Sequence, residues 1–394
     1  MHFTKNRLLR VNTIDKIGIS YFVALIGFAS IGTIWSLYLK SFLGNTSYVG
    51  FFAMFFAVVS FLAYFFIIPV VEKNSKTSLL FLVLFIYMTS YFIFSFYSNL
   101  YLVIIIGIIM AIAGSLRITL FGLIVRDKSR ASNVAKNEGL IFSFLNSAWF
   151  IGPILAGYIS QRANFNYIFF FAGFLILISM IMFYFFKVKD NRTDKKIDHN
   201  ALKVFAEFFK SRERRLIYLI SCATSFWWTL VYVYMPIFII ENGFSSFIVG
   251  FFISAVVVPL IACEYYFGKR AGMKGFKGLF FIGHFLVGII AIFCFFFPNP
   301  AFVITIMILA SFGIAMVEPT QEAYFFDLTK KNERDKFFPP YTTSIDMGHL
   351  AANLFAAVIL LLLPFRFIFL LFGGGMLIVS CCSLMIRDHI EVKK

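Results

Sequence analysis

The sequence predicts an all-α integral membrane protein of twelve transmembrane helices set in two six-helix bundles. Three observations carry that prediction: recurring long apolar stretches, a one-sided distribution of basic residues, and a chain that repeats itself. Of its 394 residues, 61% are hydrophobic and 14% charged, with a mean hydropathy of +0.88. A soluble chain carries about 25% charged residues, so water is not the main solvent of this one. Its apolar runs reach the roughly 20 residues that a helix needs to cross the hydrocarbon core. A membrane barrel is excluded, because its strands alternate polar and apolar over about 10 residues. The 57 Phe residues carry no functional reading, since lipid-facing positions accept any large apolar side chain.

The expected spans are 17–39, 47–71, 78–97, 101–125, 140–161, 166–186, 216–239, 246–267, 278–297, 301–324, 342–364 and 367–386. With both termini placed in the cytoplasm, Lys and Arg number 4 before the first span, 2 over 72–77 and 4 over 126–139. They number 10 over 187–215, 4 over 268–277, 4 over 325–341 and 3 after the last span. The outer side holds Lys40, Arg162 and Arg366, while Arg117 lies inside a span. This is the positive-inside pattern, and an odd number of spans would scramble it. It also accounts for the net charge of +16, which in a soluble chain points to nucleic acid and here does not. A basic N-terminus without a small-residue cleavage site makes the first apolar run a retained span. The expectation is a multi-pass protein of the cell (plasma) membrane with both termini cytoplasmic.

The longest polar stretch falls midway. Within it Leu202, Phe205, Phe208 and Phe209 share one face of a short helix over 202–212, opposite Lys203, Glu207 and Lys210. That pattern predicts an amphipathic helix lying on the inner leaflet and tying the halves together. The expected organisation is a bundle over 1–187, a cytoplasmic linker over 188–215 and a second bundle over 216–394. All five cysteines lie in apolar stretches, so neither a disulfide framework nor a metal site is expected.

The repeat is legible at one offset. Val49-Gly50-Phe51-Phe52 recurs as Val249-Gly250-Phe251-Phe252, Ser98-Asn99 faces Pro298-Asn299, and Asp127 faces Asp327. The basic loop at 72–77 likewise meets the one at 268–277. A six-span unit used twice in parallel is an architecture that transporters build around a midplane site between the halves.

These features resemble the major facilitator superfamily over essentially the whole chain. That family's signature after its second span is Gly-x-Leu-Ala-Asp-Arg-x-Gly-Arg-Lys. The first copy here is Ile68-Pro-Val-Val-Glu72-Lys73-Asn-Ser75-Lys76-Thr77, which keeps the acid and the bases. The second is Gly268-Lys-Arg-Ala271-Gly272-Met273-Lys-Gly275-Phe-Lys277, which keeps the glycines, Ala and Lys but loses the acid at Gly272. Span five is similar to the family's Gly-x8-Gly-x3-Gly-Pro-x2-Gly-Gly element, reading Gly139-x8-Ala148-x3-Gly152-Pro153-x2-Ala156-Gly157. The resemblance implies the major facilitator fold and a rocker-switch carrier, and the span-five element is commonest in exporters coupled to proton antiport. It further implies that Glu72 acts as a latch on basic groups or a helix N-terminus of the other half. Independently of the family, small residues let two helices approach closely, and Pro153 removes an internal hydrogen bond.

A charge at a helix centre costs about 2.5–3.5 kcal/mol on the gentler insertion scales, so each one asks for a reason. The spans contain Arg117, Glu264, Glu318, Glu322 and Asp346, with His284 and His349. Arg117 and Glu318 lie roughly 6–9 Å from their spans' midpoints, toward the cytoplasm. Glu318 and Glu322 are spaced i, i+4 and so share a helix face, an arrangement suited to reversible proton loading. They are the leading candidates for a proton or cation site, with Asp346 and His349 as the second pair. His284 reads as a hydrogen-bonded core residue.

For the cargo, Trp227 and Trp228 in span seven lie near mid-membrane, away from the interfacial belt, and Tyr232 in span seven and Trp149 in span five add to the aromatic set. Aromatic faces bind apolar and cationic ligands by stacking and cation–π contact. Arg117 and Asn146 complete the expected cavity. No nucleotide-binding loop is present, so the chain does not pump with ATP on its own. The expected function is a non-enzymatic secondary transporter moving a small hydrophobic or cationic compound outward, driven by a proton gradient and without a cofactor. An importer of a sugar or organic ion is the alternative, and a non-transporting receptor or membrane enzyme lies outside the class. The expected partners are a small-molecule substrate and the lipid bilayer, with a monomer as the working unit.

Overall fold

The computed structural model describes residues 13–128, 134–186, 201–330 and 333–387. Linker positions 188–200 and the side chains of Glu72, Lys73 and Asp127 lie outside that description. The described residues are all-helical. The first six helices are α1 (Thr13–Leu43), α2 (Thr46–Lys73), α3 (Lys76–Phe96), α4 (Leu100–Lys128), α5 (Val134–Arg162) and α6 (Phe165–Phe185). Then come the short α7 (Ala201–Phe208), α8 (Arg212–Thr229), a π-helical segment at Leu230–Tyr234, and α9 (Met235–Glu241). The rest are α10 (Ser246–Lys274), α11 (Lys277–Phe296), α12 (Pro300–Leu328), α13 (Arg334–Thr342), α14 (Ser344–Leu362) and α15 (Phe367–Ser383).

Ten helical stretches among the described residues are long and apolar enough to cross a membrane, α8 to α9 counting as one. Beyond those ten, the expected spans correspond to α5, part of whose side chains are undescribed, and to α15, an apolar helix of 17 residues.

The repeat seen in the sequence is carried by matching turns. Asn99 and Asn299 open α4 and α12 in the same way, each side-chain oxygen accepting from the backbone N–H two residues on, at 2.8 and 3.0 Å. Such a cap satisfies donors that a helix start leaves unpaired. Gly44 and Gly243 take φ of 69° and 82° at the turns before α2 and α10, a backbone that only glycine adopts without strain.

Within the first six helices α1 packs on α5 and α6, α3 on α4 and α6, and α2 on α4. In the later part α11 packs on α12 and α15, α10 on α12, and α8 on α12, α14 and α15. The extensive contacts between the two sets are α2 with α14 and α5 with α10. Both rest on glycine. A Cβ on Gly50 would meet the Tyr234 hydroxyl and Ala357, and one on Gly250 would meet the Pro153 carbonyl and Gly157. Helices that come this close gain van der Waals contact where lipid offers no hydrophobic drive for association.

The linker helix packs part of its apolar face on protein. Phe208 is fully buried among Tyr218, Phe325 and Phe337. Glu207 pairs with Lys336 at 2.6 Å. Arg214 donates to the Phe208 and Glu207 carbonyls, both at 2.9 Å, closing the C-terminal end of α7. Phe205 meets Phe65 of α2 at 5.3 Å. The apolar face thus finds protein partners on α2, α8, α12 and α13, while Leu202 stays 70% exposed.

Candidate functional site

Span seven is interrupted, and the interruption builds the site. After Thr229 the ladder widens into the π-segment Leu230–Tyr234 before α9 begins at Met235, with Pro236 in its first turn. A π-turn releases carbonyls from regular pairing. The Tyr232 carbonyl accepts instead from Ser36 Oγ of α1 at 3.3 Å. Trp228, at the end of α8, and Tyr232 of this segment stack at 5.2 Å and 17°. Trp149 of α5 meets Tyr232 at 4.9 Å, so three rings from both sets of helices form one wall.

A carboxylate terminates that wall. Glu318 of α12 accepts from the Trp228 indole N–H at 3.2 Å. Asn146 of α5 donates to Glu264 of α10 at 3.1 Å. Glu264 is the residue that the sequence reading noticed without placing at the site. Its signal was a carboxylate inside a span, and only the packing of α5 on α10 shows what it faces. Trp227 is fully buried, and its indole N–H has no partner among the described residues. Successive helical residues point about 100° apart, so the Trp227 ring enters the core while Trp228 reaches the wall.

Glu322, one turn beyond Glu318, is half-buried near Tyr341. Asp346 and His349 take different partners. Asp346 reaches Ser60 and lies near Tyr64 of α2 across the halves. His349 shares a 2.8 Å hydrogen bond with Thr229. The Thr229 hydroxyl also lies 3.0 Å from the Ser225 carbonyl, which ties the imidazole to the last turn of α8. His284 takes the expected core role, its Nδ1 bonding the Phe280 carbonyl at 2.8 Å.

Arg117 does not meet Glu318. Its guanidinium donates to the Tyr21 hydroxyl at 2.6 Å and lies over the rings of Phe28 at 4.2 Å and Tyr87 at 5.9 Å. Its Nε is buried without an acceptor.

The small residues of span five divide their work between two helices. Gly152 seats α1, whose Ser30 Oγ donates to the Gly152 carbonyl at 3.1 Å, while Gly157 and Pro153 seat α10 at Gly250. Ala148 and Ala156 are buried between, and Gly139 lies in the first turns of α5, where side chains are undescribed. In the loop motif, Gly268 lines a cavity of about 190 Å³ with Gly272, Phe276, Pro319 and Asp327. Gly275 closes α10 at φ 83°, and Lys76 and Lys277 begin α3 and α11.

One end of the molecule is drawn together. There Lys40 of α1 pairs with Glu241 of α9, Thr46 donates to the same carboxylate at 3.3 Å, and Gly157 crosses Gly250. No metal cluster of three or more His, Cys, Asp or Glu occurs among the described residues.

Comparison with known proteins places this geometry. The profile of the Major Facilitator Superfamily matches residues 17–338. The staphylopine export protein of Staphylococcus aureus (strain Mu50) is 24% identical over 247 residues, which is 60% of this chain and 61% of that protein. The chain therefore aligns with less than two thirds of that relative's length. Among solved structures, the nucleoside transporter NupG aligns with a TM-score of 0.77 at 12% identity, covering 95% of this chain and 99% of that one. A POT family transporter in complex with a thioalcohol-conjugated peptide gives 0.80 at 10% identity, covering 94% and 95%. The human organic anion transporter MFSD10 gives 0.69 at 13%, covering 94% and 98%. At these identities the solved structures share the fold. With its helical packing, its duplicated turns and a family match over most of its length, the chain belongs to the major facilitator superfamily of multi-pass membrane proteins.

Proposed function

We propose that this transporter exports a small hydrophobic or cationic compound by alternating access, exchanging it for protons at Glu318. Twelve spans in two six-helix bundles, hinged at α2 with α14 and at α5 with α10, form its moving parts. The observation that carries the reading is the Trp228–Glu318 hydrogen bond at the end of a three-ring wall drawn from both halves. The rings hold an apolar body, the ionised carboxylate holds a cation, and protonation removes the charge and lets the cargo go. Export is supported by the likeness to the staphylopine export protein of Staphylococcus aureus. The closure at Lys40–Glu241 and Gly157–Gly250 supports an inward-facing state, given that the basic loops lie in the cytoplasm.

The test is transport in proteoliposomes under an imposed pH gradient, using a fluorescent lipophilic cation as probe. Proton-driven movement is expected in the natural protein and is lost in Glu318→Gln, which still assembles and elutes as a folded species. Undiminished gradient-driven transport by Glu318→Gln removes this residue from the mechanism. Movement of the probe only down its own gradient removes the coupling.

A further inference from the structure

Arg117 is a permanent charge inside the helices that forms no salt bridge among the described residues; the Asp346 carboxylate shares the neighbourhood of Tyr64 with it without pairing to it. A guanidinium does not deprotonate in proteins, so it cannot escape the burial cost by neutralising itself. Phenol and phenyl rings surround its guanidinium, and these leave the buried Nε–H without an acceptor among the described residues. A buried charge left uncompensated is costly, which makes a mobile anion the natural counterpart.

Position along α1 ties this cation to the aromatic wall. Phe28 carries the Arg117 guanidinium at 4.2 Å. Gly32, four residues on and hence on the same face of α1, is the seat of the Trp149 ring, which a Cβ there would meet at 3.0 Å. One helical turn, about 6 Å, therefore separates the cation's seat from the first ring of the wall. From Trp149 the wall runs through Tyr232 and Trp228 to the Glu318 carboxylate. A positive end, an aromatic side and a negative end follow one another.

We propose that Arg117 is an anion subsite of this transport site. The cargo is then amphoteric, with a carboxylate that meets Arg117, a cationic group that meets Glu318, and an apolar or aromatic body between them. The inference rests on the transport reading above and narrows its substrate class. The guanidinium offers a forked set of donors that matches a carboxylate, and Tyr21 holds one nitrogen so that the fork is oriented before the ligand arrives.

The experiment uses three matched probes on the purified full chain in nanodiscs, read by quenching of tryptophan fluorescence. They are 4′-(aminomethyl)biphenyl-4-carboxylate, its methyl ester, and 4′-methylbiphenyl-4-carboxylate, which are respectively zwitterion, cation and anion on one body. The zwitterion is expected to bind about tenfold or more tighter than the ester. That gap disappears in Arg117→Gln and partly survives in Arg117→Lys, while Glu318→Gln weakens the zwitterion and the ester alike. A zwitterion that binds no better than its ester overturns the proposal, as does a gap that persists in Arg117→Gln. The comparison on the natural protein decides even if Arg117→Gln fails to assemble. Glu318-dependent binding of the ester without any gain for the zwitterion removes the anion subsite and leaves the transport reading standing. If none of the three binds, both fall.

Discussion

Gly157 of α5 and Gly250 of α10 cross so closely that a Cβ placed on Gly250 would lie 2.1 Å from the Pro153 carbonyl oxygen and 3.0 Å from Gly157 Cα. The two glycines come from opposite halves of the chain, so this crossing sets how closely α5 and α10 approach at one end of the molecule. Any side chain at 250 must push backbone away from backbone.

The first prediction follows from that crossing. Gly250→Val is expected to cost about 1–3 kcal/mol, as overpacking does, and to favour the state in which this end is open. Labelling of a cysteine introduced at Ser246, which lies against Gly157, measures it. Labelling no faster in the variant than in the parent contradicts the role given to the crossing.

Trp228→Phe keeps a ring in the wall and deletes the donor to Glu318. A hydrogen bond to a charged group is worth about 1.5–3 kcal/mol, so cation affinity should fall by roughly tenfold to a hundredfold. Tryptophan-free controls with the probe's own fluorescence read the change. Equal affinity in the two proteins means the indole N–H plays no part in binding.

Lys40 and Glu241 pair across the halves at the closed end and are partly exposed, so the pair is worth at most about 1 kcal/mol. Lys40→Glu should speed labelling of that end several-fold, and adding Glu241→Lys should restore it. Failure of the double exchange to restore closure shows that the contact is incidental.

The linker helix gives a pH prediction. The hydrogen bond from Lys336 holds the Glu207 carboxyl below its ordinary range, with the charges of Lys336, Arg214 and Lys210 acting in the same direction. A carboxyl lowered in the folded state stabilises docking above its unfolded value and loses that contribution as pH falls through the folded one. Hydrogen exchange of α7 should therefore rise as pH drops below about 4, beyond the intrinsic change. In Glu207→Gln that added rise should vanish. A rise of the same size in Glu207→Gln assigns it to another group.

Much of the fold is legible in the chain because the bilayer imposes it. Apolar length, basic loops and the matched residues Asn99 with Asn299 follow from local rules: span the hydrocarbon, keep Lys and Arg inside, cap each helix. The linker helix shows the limit of such rules. Its amphipathic face was readable at Phe205 and Phe208, yet amphipathicity does not distinguish lipid from a neighbouring helix, and the aromatic pocket of Tyr218, Phe325 and Phe337 took it. Likewise the spacing of Trp227 and Trp228 could not tell which ring enters the core.

The sequence by itself determined that costly charges sit inside the spans, and which small residues let helices meet, because both are properties of a residue in its own helix. Tertiary structure alone decided the pairings: Trp228 with Glu318, Asn146 with Glu264, Arg117 with tyrosine rather than carboxylate. Each joins residues some 90 to 120 positions apart, and no periodicity within one helix reports the angle at which another helix presents its side chains.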